Sequence, residues 1–295
     1  MTEKPLVSVI INCYNGEKYL REAIDSVLAQ TYENWEIVFW DNQSTDSTSD
    51  IVKSYDDPRI HYFYAPEHTP LGAARNLAVE KANGEYINFL DADDLWAHNK
   101  LEEQLKLVSS GRQEVVFTPL KVKVESDGKI DRRLYTDFKY LEKYSVIENN
   151  IIENLFLKGN FIEFSSILFN KKLYLEVGGI EPEFRQCEDL DIILKCGLKT
   201  TIGNAVNTYS VYRIHGGNNT TNSGLLGLYE KRKIYSTLPQ SKIVKKEVKR
   251  NETRIAMHLL TSERKVKEAF SLLFKKGSFL MVVDIIFKKI IRSLF

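Results

Sequence analysis

Two hydrophobic rhythms alternate along the first hundred residues. Leu6 to Ile11 is an apolar run suited to a strand buried on both faces, and Lys18 to Gln30 places Leu20, Ala23, Ile24, Val27 and Leu28 on one helical stripe. Trp35 to Trp40 predicts a second strand. It is closed by Asp41-Asn42-Gln43-Ser44-Thr45-Asp46, a run of turn formers and helix N-cap candidates, and a short helix follows to Tyr55. Ile60 to Tyr64 predicts a third strand, Leu71 to Ala82 a helix stopped by Asn83-Gly84, and Tyr86 to Leu90 a fourth strand. Strands alternating with helices at this spacing imply an α/β chain with a Rossmann-like, mainly parallel central sheet flanked by helices. Ligands of such sheets bind at the carboxyl ends of the strands, so Asn12, Asp41 and Asp91 are expected to converge there.

The pattern loosens after Ser110. A strand is predicted at Val115 to Thr118 and a charged hairpin through Ser126-Asp127-Gly128-Lys129, but Thr118 to Phe164 has no sustained period. Ser166 to Asn170 regains strand character, and Lys171 to Val177 reads as a helix ended by Gly178-Gly179. Gln186-Cys187-Glu188-Asp189-Leu190-Asp191 opens another helix with three carboxylates, which on their own account would only answer the helix dipole. From Gly224 the chain turns helical and basic. Its last stretch carries Phe279, Val282, Val283, Ile286, Ile290 and Leu294 on one stripe beside Lys288, Lys289 and Arg292.

Composition narrows the classes. A chain of 295 residues can bury a sizeable core, and a net charge of +1 gives no global positive field for nucleic acid. The apolar run after Lys4-Pro5 is broken by Asn12 too early for a secretory signal, so a cytoplasmic location is expected. Cys13, Cys187 and Cys196 show neither zinc spacing nor a C-x-x-C pair and are expected to be reduced structural thiols.

The chemistry begins where the fourth strand runs into Asp91-Ala92-Asp93-Asp94. Carboxylates crowded at a strand end repel one another, and a hard divalent cation that also takes substrate phosphates relieves them. The competing account is an acidic turn in which Asp93 or Asp94 caps the helix starting near His98.

Five blocks in order, Val7 to Asn15, Asp41 to Asp46, Ala74-Arg75-Asn76, Asp91 to Asp94 and Glu188-Asp189, resemble the signature of family 2 glycosyltransferases across about residues 5 to 220. The resemblance implies the A-type glycosyltransferase fold and an inverting, metal-dependent transfer from a nucleotide diphosphate sugar to a hydroxyl acceptor. By the same resemblance Asp93 ligates Mn²⁺ or Mg²⁺, Asp91 helps through metal-bound water or the ribose, and Asp189 is the general base. Asn12 and Tyr14 would line the base pocket. Asp41 and Asn42 stand where many relatives carry two aspartates, so the sequence departs from the pattern at Asn42, which weakens a preference for uridine over other bases. Arg75 would reach the base or the diphosphate, its alternative being a surface salt bridge. His215, which shares a strand face with Arg213, would close the metal site or touch the diphosphate. Asp191 points elsewhere on its helix and is expected to be structural or acceptor-facing.

The expected organisation is a catalytic domain over 1–224, with a nucleotide-sugar half (1–110) and an acceptor half (111–224), and a helical basic C-terminal extension over 225–295. The terminal stripe is too short to span a bilayer, which takes about 20 residues. It suits peripheral contact with an anionic membrane on the inner face, with homodimer formation as the rival use. A lipid-linked glycan of a surface polysaccharide pathway is the favoured acceptor. Two other readings compete: a catalytically inactive carbohydrate-binding or assembly subunit, and a sugar nucleotidyltransferase. The second would need a glycine-rich basic loop after the first strand, and Asn12 to Lys18 is not one.

Overall fold

The computed structural model describes residues 4–109, 111, 113–125, 146–147, 153, 155–156, 162–218, 224–261, 265, 268–269 and 271–272. The chain divides into two compact units, Met1–Asn218 and Asn219–Phe295. The predicted hairpin at Ser126 to Lys129 and the terminal stripe from Phe279 lie outside the described residues.

In the first unit the predicted alternation is present. Strand β1 (Val7–Cys13) is followed by α1 (Leu20–Leu28), β2 (Trp35–Asp41), α2 (Thr48–Lys53), β3 (Ile60–Tyr64), α3 (Leu71–Lys81) and β4 (Tyr86–Phe89). The four strands lie side by side in the order β3-β2-β1-β4, all parallel. Every residue of β2 is buried, as its unbroken apolar run requires, and α1 turns Leu20, Ala23, Ile24 and Val27 into the core. The register pairs Cys13 with Asp41, Asp41 with Tyr64 and Ile10 with Phe89, so the polar residues ending these strands sit along one edge.

The same sheet continues through β9 (Leu168–Asn170), β6 (Val115–Phe117), β10 (Ile202–Asn204) and β8 (Val146–Ile147). Strand β9 runs antiparallel to both β4 and β6, which makes the sheet mixed at its centre. A second sheet of β5 (Leu95–Trp96), β11 (Ser210–Ile214) and β7 (Leu120–Val124) brings the late segment around Arg213 and His215 back beside the Asp91 turn. Helices α4 (Lys100–Val108), α5 (Lys171–Glu176) and α6 (Glu188–Gly197) complete the described elements of this unit, and Gly178 and Gly179 end α5 with φ of +86° and +63°.

Three local features depart from the sequence pattern. The residue capping α4 is Asn99, so neither Asp93 nor Asp94 caps that helix. Asp94 instead accepts hydrogen bonds from the Arg213 N–H and the Ser165 hydroxyl, which draw it inward. The strand expected from Ser166 starts two residues later, because Phe164–Ser166 forms a 3₁₀ turn whose Ser165 bonds to Asp91, Asp94 and Trp96. Finally, Asn88 interrupts the apolar β4 because it receives a buried lysine: Lys100 Nζ donates to Asn88 Oδ1 (3.0 Å) and Gln104 Oε1 (2.9 Å) and lies 3.9 Å from the Trp96 ring centroid. Burial pulls the Lys100 amine well below the ordinary lysine range.

Gly72 fixes how α3 meets the rest of the unit. A Cβ there would lie 2.4 Å from the Glu181 carbonyl oxygen, while Gly72 N–H donates to Phe184 O (2.9 Å) and Ala73 N–H to Pro182 O (3.1 Å). The 180–184 loop therefore rests directly on the first turn of α3, the helix that carries Arg75.

The second unit contains α7 (Leu225–Thr237) and α8 (Lys242–Thr261). Arg232 forks onto Glu252 with bonds of 2.8 and 2.6 Å, and Ile255, Ala256, Leu259 and Ala269 form a small core. Among the described residues, no helix is long and apolar enough to cross a membrane.

Candidate active site

Arg75 is the centre of the site. Its guanidinium donates to Asp91 Oδ1 (2.6 Å) and Glu188 Oε1 (2.8 Å) and lies 4.0 Å from the centroid of the Phe164 ring. With 2% of its surface exposed, it is a buried bridge between the end of β4 and the start of α6, and the surface salt bridge is excluded. Its five donors in a rigid plane suit two carboxylates held at fixed positions. Of the α6 carboxylates, Glu188 faces Arg75. Asp189 is half-buried beside it, and Asp191, expected to be structural or acceptor-facing, turns away to accept from Glu181 N–H (2.8 Å) and Lys195 Nζ (2.7 Å).

The carboxylates outnumber the cations here. One oxygen each from Asp91, Asp94 and Glu163 lies within 4.8 Å of the others. Burial, and then the neighbouring charges of Asp91 and Asp189, push the Glu163 carboxyl up to about 8, although Arg75 acts in the opposite sense. Burial similarly raises Glu188 to about 7 against the pull of Arg75, and it raises Asp94 well above the usual carboxylate range. Asp93 is also raised, by burial and by Asp91, while His215 opposes the shift through the 2.8 Å contact of its Nε2 with Asp93 Oδ2.

Arg213 holds the acidic turn in shape. Its backbone N–H donates to Asp94 Oδ1 (3.0 Å), its Nε to the Asp93 carbonyl (2.7 Å), and its terminal nitrogens to Glu125 (2.6 Å) and Glu22 (3.0 Å). His215 comes two residues later. Asn218 fixes its backbone and the Tyr19 ring lies 4.8 Å away, so the imidazole faces Asp93.

The residues expected to read the base form a second group at the ends of β1 and β2. Both side-chain amide atoms of Asn12 are buried with no hydrogen-bond partner among the described residues, whereas Tyr14 is exposed and meets His68 edge-on at 4.6 Å. Asp41 is fully buried and accepts from Ser44 N–H and the Tyr62 hydroxyl, both at 2.7 Å. Asn42 donates to the Thr69 carbonyl (2.9 Å) and accepts from the Thr69 N–H and hydroxyl, so its side chain holds the 65–70 loop. Asp41 and Asn42 are thus engaged within the protein, His68 Nδ1 lies 2.8 Å from the Asn42 carbonyl, and Tyr14 is the exposed member of the group.

The donor set fits a divalent cation. It is hard and oxygen-rich, with oxygens of Asp91, Asp94 and Glu163 within 4.8 Å of one another and an imidazole on Asp93. The cysteines play no part: Cys13, Cys187 and Cys196 are buried thiols, and burial pushes Cys13 and Cys196 up to about 12.

Sequence reasoning overlooked Glu163 and Ser165, which lie in or beside the stretch without a period. The one available signal was a lone carboxylate between Ile162 and Phe164.

The profile described as Glycosyl transferase family 2 matches residues 8–177, more than half of the chain. TuaG of Bacillus subtilis (strain 168), a glycosyltransferase assigned by name to teichuronic acid biosynthesis, is 37% identical over 151 residues, 50% of this chain and 60% of that one. WfgD of Escherichia coli, named as a UDP-Glc:alpha-D-GlcNAc-diphosphoundecaprenol beta-1,3-glucosyltransferase, is 34% identical over 165 residues, 56% of each chain. The matched regions therefore span less than two thirds of either relative. Among solved structures, S. aureus TarS 1-349 in complex with UDP-GlcNAc superposes with a TM-score of 0.60 at 20% identity, covering 90% of this chain and 70% of that one, a likeness of fold.

Proposed function

The chain belongs to glycosyl transferase family 2, and on that premise we propose that it transfers a sugar, with inversion, from a nucleoside diphosphate sugar to a hydroxyl of a glycan or lipid-linked acceptor in surface polysaccharide or glycoconjugate assembly. A UDP-sugar is the favoured donor. The observation that carries the reading is the buried Arg75 bridge, which ties Asp91 at the end of β4 to Glu188, the chain neighbour of Asp189, at the acidic start of α6.

Asn12 and Tyr14 would receive the base. Buried amide atoms without a partner are costly to keep, and a base edge with both donors and acceptors satisfies them. Asp41 and Asn42 would act one step back by shaping the pocket wall. Asp93, Asp91 and His215 would hold Mn²⁺ or Mg²⁺, which when bound neutralises charge on the departing diphosphate. Asp189 would take the proton of the acceptor hydroxyl as that oxygen attacks the anomeric carbon from the face opposite the leaving group. Arg75 keeps Asp91 and Glu188 paired, so the charge around Asp189 is fixed before substrate arrives.

The proposed division remains a catalytic domain over 1–224 and a basic extension over 225–295 that contacts an anionic inner membrane surface. Calorimetric titration of UDP, with and without Mn²⁺, on wild type and Asp93→Ala tests the core of the proposal. Metal-dependent binding by wild type, weakened at least about tenfold in the variant, is the expected outcome. Failure of the wild type to bind UDP or the thymidine, guanosine and cytidine diphosphates would leave an inactive assembly subunit as the better account.

A further inference from the structure

Glu163 is fixed with unusual thoroughness for a residue outside every motif. Its carbonyl accepts from Ser166 N–H (3.0 Å) and the Ser166 hydroxyl (2.5 Å), which closes the turn immediately after it. In that turn Phe164 stacks on Phe89 with ring centroids 4.4 Å apart. Ser165 accepts from Asp91 N–H (3.0 Å), donates to Asp94 Oδ2 (2.6 Å), and receives Trp96 Nε1 on its carbonyl (2.7 Å). These bonds hold the backbone, and the Ser165 backbone N–H also donates to the carboxyl, which has Asp91, Asp189 and Arg75 as charged neighbours; its Oε2 is buried with no hydrogen-bond partner among the described residues.

Resting on the donor reading above, we propose that Glu163 Oε2 accepts a hydrogen bond from a ring hydroxyl of the donor's sugar and thereby determines which sugar is transferred. The sugar is the part of the donor that must lie between the group holding the diphosphate and the base serving the acceptor, because the bond that breaks and the bond that forms meet at its anomeric carbon. Glu163 lies at that interval: an oxygen of its carboxyl is within 4.8 Å of one of Asp91, and it feels the charges of Asp189 and Arg75. A neutral hydroxyl fits this acceptor better than a second cation does. Of the two carboxylates clustered with it, Asp91 is paired with Arg75, and Asp94 is 1% exposed and already occupied by Arg213 N–H and Ser165 Oγ, whereas the side chain of Asp93 retains 31% exposure. A rigid buried acceptor discriminates strongly, because a sugar that lacks or misplaces the matching hydroxyl leaves it unpaired.

The test is calorimetric binding, with Mn²⁺ present, of UDP, UDP-glucose, UDP-galactose and UDP-N-acetylglucosamine to wild type, Glu163→Gln and Glu163→Asp. Both variants are expected to bind UDP within about twofold of wild type, which also reports an intact fold. Each should lose roughly tenfold or more of the affinity for the preferred UDP-sugar relative to UDP. Equal losses for UDP and UDP-sugar, with weaker Mn²⁺ binding, would overturn the proposal and make Glu163 a metal ligand. An unchanged ratio would overturn it outright. Wild type that binds no UDP would remove the donor reading and this inference together, an outcome distinct from the other two.

Discussion

Asn42 and Arg75 are single residues whose chemistry is set by what they already hold. The Asn42 amide nitrogen donates to the Thr69 carbonyl while its oxygen accepts from the Thr69 N–H and hydroxyl, a pairing that needs one donor and one acceptor on the same side chain. Asn42→Asp would set a carboxylate oxygen against a carbonyl oxygen. The expected cost is about 1–3 kcal/mol, read as a lower Tm in thermal denaturation. An unchanged Tm would mean that the loop does not depend on this amide. The second aspartate common in relatives is therefore not a simple exchange here, because the 65–70 loop has been built around an amide. Arg75 illustrates the converse: its motif was legible, but its partners were residues 91 and 188, far apart in the chain.

Between elements, Glu36 on β2 fastens β1 and the turn before β4. It is buried, accepts from the Ser8 hydroxyl (2.6 Å) on β1, and accepts from the Asn83 N–H (2.6 Å) and side-chain amide (3.0 Å) in the turn before β4. Burial alone would raise its carboxyl, but the donors from Ser8 and Asn83 outweigh burial and hold it below the ordinary value. The depressed carboxyl contributes stability that is present above the unfolded value, about 4.3, and is lost as pH falls through the folded one. The Tm gap between wild type and Glu36→Gln should accordingly be widest near neutrality and shrink below about pH 4. A gap constant with pH would show that the effect is packing and not charge.

At the scale of the whole chain, the proposed division predicts separable functions. Deleting residues 275–295 should leave metal-dependent UDP binding unchanged and abolish sedimentation with anionic lipid vesicles, since the stripe from Phe279 with Lys288, Lys289 and Arg292 is the candidate contact. If vesicle binding persists, or if a dimer dissociates instead, the tail serves another purpose. The described helices of the second unit hold a small core of their own around Ile255 and Leu259, with Arg232 and Glu252 linking α7 to α8.

The sequence by itself determined the alternating strands and helices to Leu90, the alignment of their polar ends, and the acidic, amide and arginine residues of the family signature. These follow from local periodicity and from residue types at fixed spacing, which need no knowledge of distant partners. Tertiary structure alone decided which of those groups face one another. Only folding buries Arg75 between Asp91 and Glu188, brings Arg213 and His215 against Asp93 and Asp94, engages Asn42 with Thr69, and carries Glu163 from a patternless stretch into a cluster with Asp91 and Asp94. The physical reason is that a side chain's partner, burial and charge depend on strands distant in the chain, as the pairs Tyr86 with Asn170 and Trp96 with Ser210 show, and no local spacing records that pairing.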